Sequence, residues 1–418
     1  MSPRTAAWSW LGGFALLALV LTLLLTPWGA VTSAPDGLVR RAFGADLVAR
    51  GNAFAAEIRP ATYSSLVLGV LVALWLGMSR RGLRLVRRVC ARLRWWWLQA
   101  LAVVAVVSSA VWLVTVPLAV WREVVLRRWG LSTQDWGSWL LDEVKGVGLT
   151  VGLTGVGLVL LVGVARLLPR WWFVPAGLGA AGLVFAMSFV YPVVVEPVFN
   201  DFRPMRAGQL RASLVEMAAV DGVPVDEVLV ADASRRTTAL NAYVSGFGAT
   251  RRIVVYDNLL REPDPQVRSV VAHELGHADA DDVLVASTIG AAGTAAGIGA
   301  LALILSSGWL RRRGVDGAGD PAVAATVLAL ATALTVVGSP VESLISRQVE
   351  ARADQHALDL ARDPQGMVEV QQNLAVRNLA DLDPPWFSYV MFATHPTAGQ
   401  RIAMAREWAS AHGVEVRP

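Results

Sequence analysis

The sequence predicts a mainly α-helical, polytopic membrane protein with about seven transmembrane helices and a small β-sheet in a polar domain. Three observations carry the membrane part. Hydrophobic residues make up 55% of the 418 positions, and charged residues only 17%, against about 25% in a soluble domain. Mean hydropathy is +0.49. The apolar residues are also gathered into stretches of about 20, the length that spans a bilayer as a helix.

Seven such stretches occur, at 10–30, 62–79, 98–121, 147–168, 171–194, 283–306 and 321–345. The first, "LGGFALLALVLTLLLTPWGA", is the most apolar. It competes with a secretory leader, because "VTSA" at 31–34 would serve as a cleavage site. The sixth, "LVASTIGAAGTAAGIGALALILSS", is rich in Gly and Ala, which suits close helix packing. The seventh carries Gly338, Pro340 and Glu342 and is expected to be irregular there. Residues 199–282 read as globular. "RAGQLRASLVEMAAV" (206–220) has helical period, "DEVLVAD" (226–232) reads as a strand, and "NAYVSGFGATRRIVVYDNLL" (241–260) reads as a hairpin. Asp264-Pro265 is a helix start. After the last span, 346–418 is mixed and mainly helical. The expected organisation is therefore five spans in 1–195, the first part of a polar domain in 196–282, two spans in 283–345, and the rest of that domain in 346–418.

Charge narrows the partners. The isoelectric point is near 9.7 and Lys145 is the only lysine. The arginines lie beside the apolar spans, where they anchor to lipid head groups, so the expected partner is the bilayer and not nucleic acid. Arginine dominance with abundant Ala, Gly and Val points to a GC-rich genome, and the expected location is a bacterial plasma membrane, multi-pass. Cys90 is the only cysteine, which excludes an intrachain disulfide and a cysteine zinc site. The loop 79–97 holds seven arginines. The positive-inside rule puts it in the cytoplasm, and counting spans from there puts 196–282 outside.

The chemistry is concentrated in "VVAHELGHADADDVL" (270–284). On a helix His273 and His277 lie one turn apart on one face and can reach one ion. Zinc accepts neutral imidazole nitrogens and, in hydrolases, three protein ligands with a place for water. Glu274, beside the first histidine, is placed to take a proton from that water. This is the H-E-x-x-H pattern of zinc hydrolases, against which stands a chance match on an amphipathic helix. The chain has five histidines in all, which makes a chance pairing less frequent.

A third ligand is required. The metzincin extension needs glycine at 280 and histidine at 283; Ala280 and Val283 stand there, so that class is excluded. "SLISRQVEARADQHALDLA" (343–361) instead offers Glu350 as the third ligand of one Zn2+ per chain. Asp354, a turn later, would accept from a ligating imidazole and fix its tautomer. Arg347, a turn before, is placed to pair with either carboxylate. The alternative for this segment is a solvated face with i,i+4 pairs. His356 falls on the opposite side of that helix and reads as a packing or surface histidine; His412 reads as exposed. His395, in "ATHPTAGQRI" (393–402), precedes a proline in an extended or turn segment, where it would donate to the oxyanion of a tetrahedral intermediate.

HELGH, then "SRQVEARAD" after a span, then "THPTAGQRI" resembles the type I CAAX prenyl protease family, the membrane zinc gluzincins. Upstream, "EPVFNDFRPMRAGQLR" (196–211) and the 241–260 hairpin resemble that family's segments in the same order. The match is specific from about 190 to 402, and over 1–190 rests on span count. The resemblance implies a zinc metalloendopeptidase with a gluzincin-like domain and a water-filled intramembrane chamber. It implies His273, His277 and Glu350 as zinc ligands, Glu274 as general base, Asp354 as the carboxylate behind a ligand, and His395 as the transition-state histidine. It also implies Asn241 as a contact to the substrate backbone, with Tyr243 and Gly246 of the same hairpin beside it. The substrate would be a peptide or membrane protein. Two other expectations stand beside this one: a quality-control protease like the heat-shock membrane protease HtpX, and a non-catalytic scaffold or channel with a vestigial metal site. The family's cytosolic zinc domain conflicts with the arginine count, which puts it outside.

Overall fold

The computed structural model describes residues 1–225, 227–246 and 251–417. In chain order the helices are α1 (Pro3–Leu25), α2 (Leu38–Met78), α3 (Arg80–Cys90), α4 (Trp96–Arg128), α5 (Trp136–Leu167), α6 (Phe173–Val190), α7 (Glu196–Phe199), α8 (Gln209–Val220), α9 (Asp264–Asp279), α10 (Asp282–Ser306), α11 (Val323–Ala361), α12 (Pro364–Arg377), α13 (Trp386–Phe392) and α14 (Ala398–Ala411). Strands β1 (Phe202–Pro204), β2 (Glu227–Ala231), β3 (Ala242–Ser245) and β4 (Arg252–Tyr256) complete it. Among the described residues seven helices are long and apolar enough to cross a membrane: α1, α2, α4, α5, the run Phe173–Phe199, α10 and α11.

Several helices outrun the apolar stretches that announce them. α2 begins at Leu38, well before its membrane segment, and bends at Gly44, whose φ of 74° an L-residue rarely adopts. α11 is 39 residues long in all and runs on beyond its membrane part to Ala361. The irregularity expected around Gly338 and Pro340 is absent: the helix runs through Pro340. On that stretch the Ser339 and Ser343 hydroxyls donate to the Met391 carbonyl and tie α13 to α11. α6 ends in one wide π-turn, Tyr191–Val195, before α7.

The spans form a ring. α10 packs on α1 and α6, α6 on α5, α5 on α4, α4 on α2, and α2 on α11. At one end the ring is filled by an apolar cluster that includes Leu76, Leu83, Val104, Leu161, Leu305 and Val323. Farther along, residues 62–68, 108–122, 136–154, 178–194 and 330–342 contain no buried position. The helices there are not packed against one another's inner faces, as the chamber implied by the resemblance requires.

The polar domain closes the far end. The sheet order is β1-β2-β4-β3, with β2 and β4 parallel and the other pairs antiparallel. Sequence reading anticipated β2 and the β3–β4 pairing but not β1 or the parallel insertion of β2. Positions 226 and 247–250, including the hairpin turn, lie outside the described residues. Val228, Ile253 and Val255 face α9, burying Val267, Val271 and Leu275 beneath the sheet. β3 is left at the edge of the sheet, beside α9.

Candidate metal centre and catalytic cleft

α9 positions the first two ligands. Asp264 and Pro265 open it at its first and second positions, one residue earlier than an Asp264 cap would give, with Pro263 as the cap. About two and a half and three and a half turns on, His273 and His277 project side by side, their rings near perpendicular with centroids 4.8 Å apart. α11 crosses behind α9. Its approach depends on Gly276: a Cβ there would lie 3.0 Å from the His356 Cβ and 3.2 Å from the Ala353 backbone. The glycine in HELGH thus lets α11 bring Glu350 within reach.

The Nε2 atoms of His273 and His277 are 3.2 Å apart. Glu350 Oε2 is 3.2 Å from the first, and Oε1 is 3.6 Å from the second. One ligand atom from each lies within 4.8 Å of the others. Two ligands about 2.0–2.1 Å from a tetrahedral ion stand about 3.3 Å apart, so the spacing fits. The proton positions fit as well. His273 Nδ1 is 2.8 Å from Asp354 Oδ1, and His277 Nδ1 is 2.8 Å from Asp282 Oδ2. If each Nδ1–H donates to its carboxylate, both Nε2 lone pairs point at one another and at Glu350. Glu350 Oε2 is buried without a hydrogen-bond partner. With both rings neutral, these three groups converge as acceptors, an arrangement that a cation completes. Burial pushes the pKa values of the rings down, yet Asp354 holds His273 up at about 9, and Asp282 and Glu350 hold His277 up at about 10.

Each outer carboxylate is in turn held by an arginine. Arg401 Nε donates to Asp354 Oδ2 at 2.7 Å, and its Nη2 reaches Oδ1. Arg352 donates to Asp282. Neither Arg401, Arg352 nor Asp282 was singled out by sequence reasoning. A signal for Arg401 existed. Thr397 and Gln400 form a reciprocal capping box that starts α14, so "THPTAGQRI" fixes Arg401 in the first turn of a helix.

Arg347 corrects one expectation. It pairs with neither carboxylate: its Nη1 donates to the carbonyls of Tyr389 (2.9 Å) and Ala393 (2.7 Å), and its guanidinium lies 4.3 Å from the Tyr389 ring centroid. It holds the 389–393 segment, and through it His395. His395 is half exposed, with Nε2 3.2 Å from Glu350 Oε2 and Nδ1 2.9 Å from Thr394 Oγ1. His356 packs between helices, 2.8 Å from Asp221; His412 is exposed and stacks on Trp408.

A cleft of about 810 Å³ opens in front of the cluster. Glu274, His273, His395, Arg401 and Asn241 all lie on its wall, with Met367, Val370, Leu374, Leu382 and Phe392 as its apolar part. Burial pushes the Glu274 carboxyl above its usual range, the direction that suits a base. Tyr243 and Gly246 are the other corrections. Tyr243 turns to the opposite face of the sheet, where its hydroxyl donates to Glu196 at 3.0 Å. Gly246, at φ 92°, lines a small separate hollow beside His277 and Asp282.

The known proteins that this chain resembles agree with the geometry. The model of peptidase family M48 matches residues 204–409. A model described as CAAX prenyl protease N-terminal, five membrane helices, matches 60–201. The chain is 28% identical over 325 residues to the uncharacterized metalloprotease YhfN of Bacillus subtilis, covering 74% of each. It is 27% identical over 327 residues to CAAX prenyl protease 1 of Saccharomyces cerevisiae, covering 73% of this chain and 71% of that one. Its fold is similar to the crystal structure of S. mikatae Ste24p, with a TM-score of 0.77 at 20% identity over 97% of this chain and 99% of that one. Since the two family models between them take in six of the seven spans, HELGH, Glu350 and the "THPTAGQR" segment, the chain belongs to peptidase family M48 and is a multi-pass membrane metalloprotease.

Proposed function

We propose that the protein is a zinc endopeptidase that cuts extended peptide segments of membrane-associated proteins, in a bacterial plasma membrane. The observation that carries this is the convergence of two imidazole nitrogens and one carboxylate beside a cleft that His273, Glu274 and His395 line. His273, His277 and Glu350 would hold one zinc ion. When bound, that ion supplies Lewis acidity toward the scissile carbonyl and the attacking water. Glu274 takes the water's proton and returns it to the leaving amine. His395 donates to the oxyanion from its place beside Glu350. The free edge of β3, with Asn241 at its start, pairs with the substrate backbone as an added strand. The apolar wall accepts a side chain of the substrate. Asp354 and Asp282 hold the ligating tautomers. The yeast relative acts as a CAAX prenyl protease by name. Nothing in this cleft demands a prenyl group, and the proposed substrate is defined by its extended backbone.

The test is cleavage of casein and of plain and prenylated peptides by detergent-purified protein, wild type against Glu274→Gln, with zinc content measured for each. Both should hold about one zinc per chain, and the variant should lose about 10²–10⁴-fold in turnover. A wild type that folds without zinc would favour the scaffold with a vestigial site.

A further inference from the structure

The end of the ring opposite the cleft carries an unusual charge. Arg4 precedes the first span. Arg80, Arg81, Arg84, Arg87, Arg88, Arg92 and Arg94 lie on and after α3. Arg166 ends α5, Arg170 follows it, and Arg311, Arg312 and Arg313 follow α10. Only two acidic residues, Asp316 and Asp320, accompany these thirteen arginines. The whole chain is +4, so the rest of the molecule is net negative. The segments share one face. Arg87 pairs with Asp320, Arg166 Nη1 donates to the Gly319 carbonyl at 3.1 Å, and Trp10 meets Phe173 at 6.1 Å. Eleven of the arginines are exposed, all but Arg87 and Arg313.

α3 is built to lie on a membrane surface. Leu83, Val86 and Cys90 are buried against the bundle, Leu85 and Val89 are exposed at its flank, and Arg80, Arg81, Arg84 and Arg88 point outward. Exposed Trp95, Trp97 and Trp171 stand at the same level, the place of interfacial aromatics. α11 measures the distance to the cleft. Twenty-seven residues separate Val323 at this end from Glu350, about 40 Å of helix, close to the full thickness of a bilayer with its head groups.

We propose that this arginine face rests on the anionic phospholipid head groups of the cytoplasmic leaflet, and that the cleft therefore opens on the extracytoplasmic side. Arginine-rich loops stay in the cytoplasm, and each basic residue near an anionic surface contributes about 1 kcal/mol of attraction. With the catalytic reading above, the substrates would be segments displayed outside the membrane, not cytosolic chain ends.

The orientation is tested on full-length protein in bacterial spheroplasts, independently of any catalysis. Ser306→Cys marks the arginine end and Ser410→Cys the peptidase end. Both positions are exposed, and the wild type with buried Cys90 gives the background. A membrane-impermeant maleimide should label the Ser410→Cys protein in intact spheroplasts and the Ser306→Cys protein only after lysis. Labelling of Ser306→Cys, of both, or of neither before lysis overturns the orientation. The lipid contact is tested by adding phosphatidylglycerol or phosphatidylcholine to the protein in detergent. The first alone should raise the Tm by several degrees, and the combined Arg80→Gln, Arg81→Gln, Arg84→Gln, Arg88→Gln variant should lose that shift. A shift that survives in the variant places the anionic lipid elsewhere.

Discussion

The two histidines of the metal cluster are supported in different ways. His273 is held by Asp354, 81 residues away on α11, and Asp354 is held by Arg401 of α14. His277 is held by Asp282, five residues away at the start of α10, and Asp282 by Arg352 of α11. The first support is deep: the side chains of Asp354 and Arg401 are 2% and 12% exposed, against 13% and 31% for Asp282 and Arg352. One histidine is therefore oriented only when three helices distant in sequence have packed. The other is oriented largely by the chain that follows it. The same chemistry is tied once to the tertiary fold and once to local structure.

The comparison breaks most readily at Asp354. Asp354→Ala strips the carboxylate from His273 and leaves the Arg401 guanidinium buried without its partner. Breaking a buried pair in that way costs about 3–5 kcal/mol, and loss of an outer carboxylate lowers metal affinity about 10–100-fold. Thermal unfolding in detergent and zinc competition with a chelator should show both effects together. A variant that melts with the wild type would mean that the deep support is dispensable. Gly276→Ala should come next. The added methyl would press on Ala353 and His356, parting α9 from α11 at about 1–3 kcal/mol, the usual cost of overpacking. Both histidines would retreat from Glu350, so zinc affinity should fall although no ligand changes.

How much of this was legible follows the same division. HELGH could be read because its two ligands are local: an i,i+4 spacing fixes both on one helix face. Glu350 and Asp354 could be read as a pair for the same reason, and the third ligand that a zinc site requires tied them to HELGH. Arg347 was misplaced because spacing along a helix says which residues share a face, not which of several acceptors a long side chain takes. It found the carbonyls of the 389–393 segment, which no pattern announces. Arg401 was missed because its partner lies 47 residues back. Tyr243 was misread through the strand's period of two, which puts neighbouring positions on opposite faces without saying which face meets α9. In the membrane part, hydropathy located the spans but not the ends of α2 and α11. Polar residues stop the apolar signal without stopping the helix, and those polar extensions carry Glu350 and join the ring to the domain.

The smaller effects lie on the local side. Asp282→Asn keeps a side-chain oxygen that can still accept from His277 Nδ1 while its charge is removed. It should lower zinc affinity toward the lower end of the 10–100-fold range, with little change in Tm, because the pair it breaks is partly exposed. Arg352→Gln should do least. Its guanidinium is about one-third exposed, and an ion pair at that depth contributes about 0–1 kcal/mol. Asp282 is fixed by its place at the start of α10 as well as by Arg352, so His277 keeps its acceptor when the arginine is gone. Zinc affinity within a few-fold of wild type, with unchanged Tm, is the expected result, while Arg401→Gln, measured beside it, should be clearly impaired in both. If the two glutamine variants behaved alike, burial would not be what separates the supports. The cluster would then have to be treated as one coupled network, in which the two arginines hold the carboxylates to equal effect.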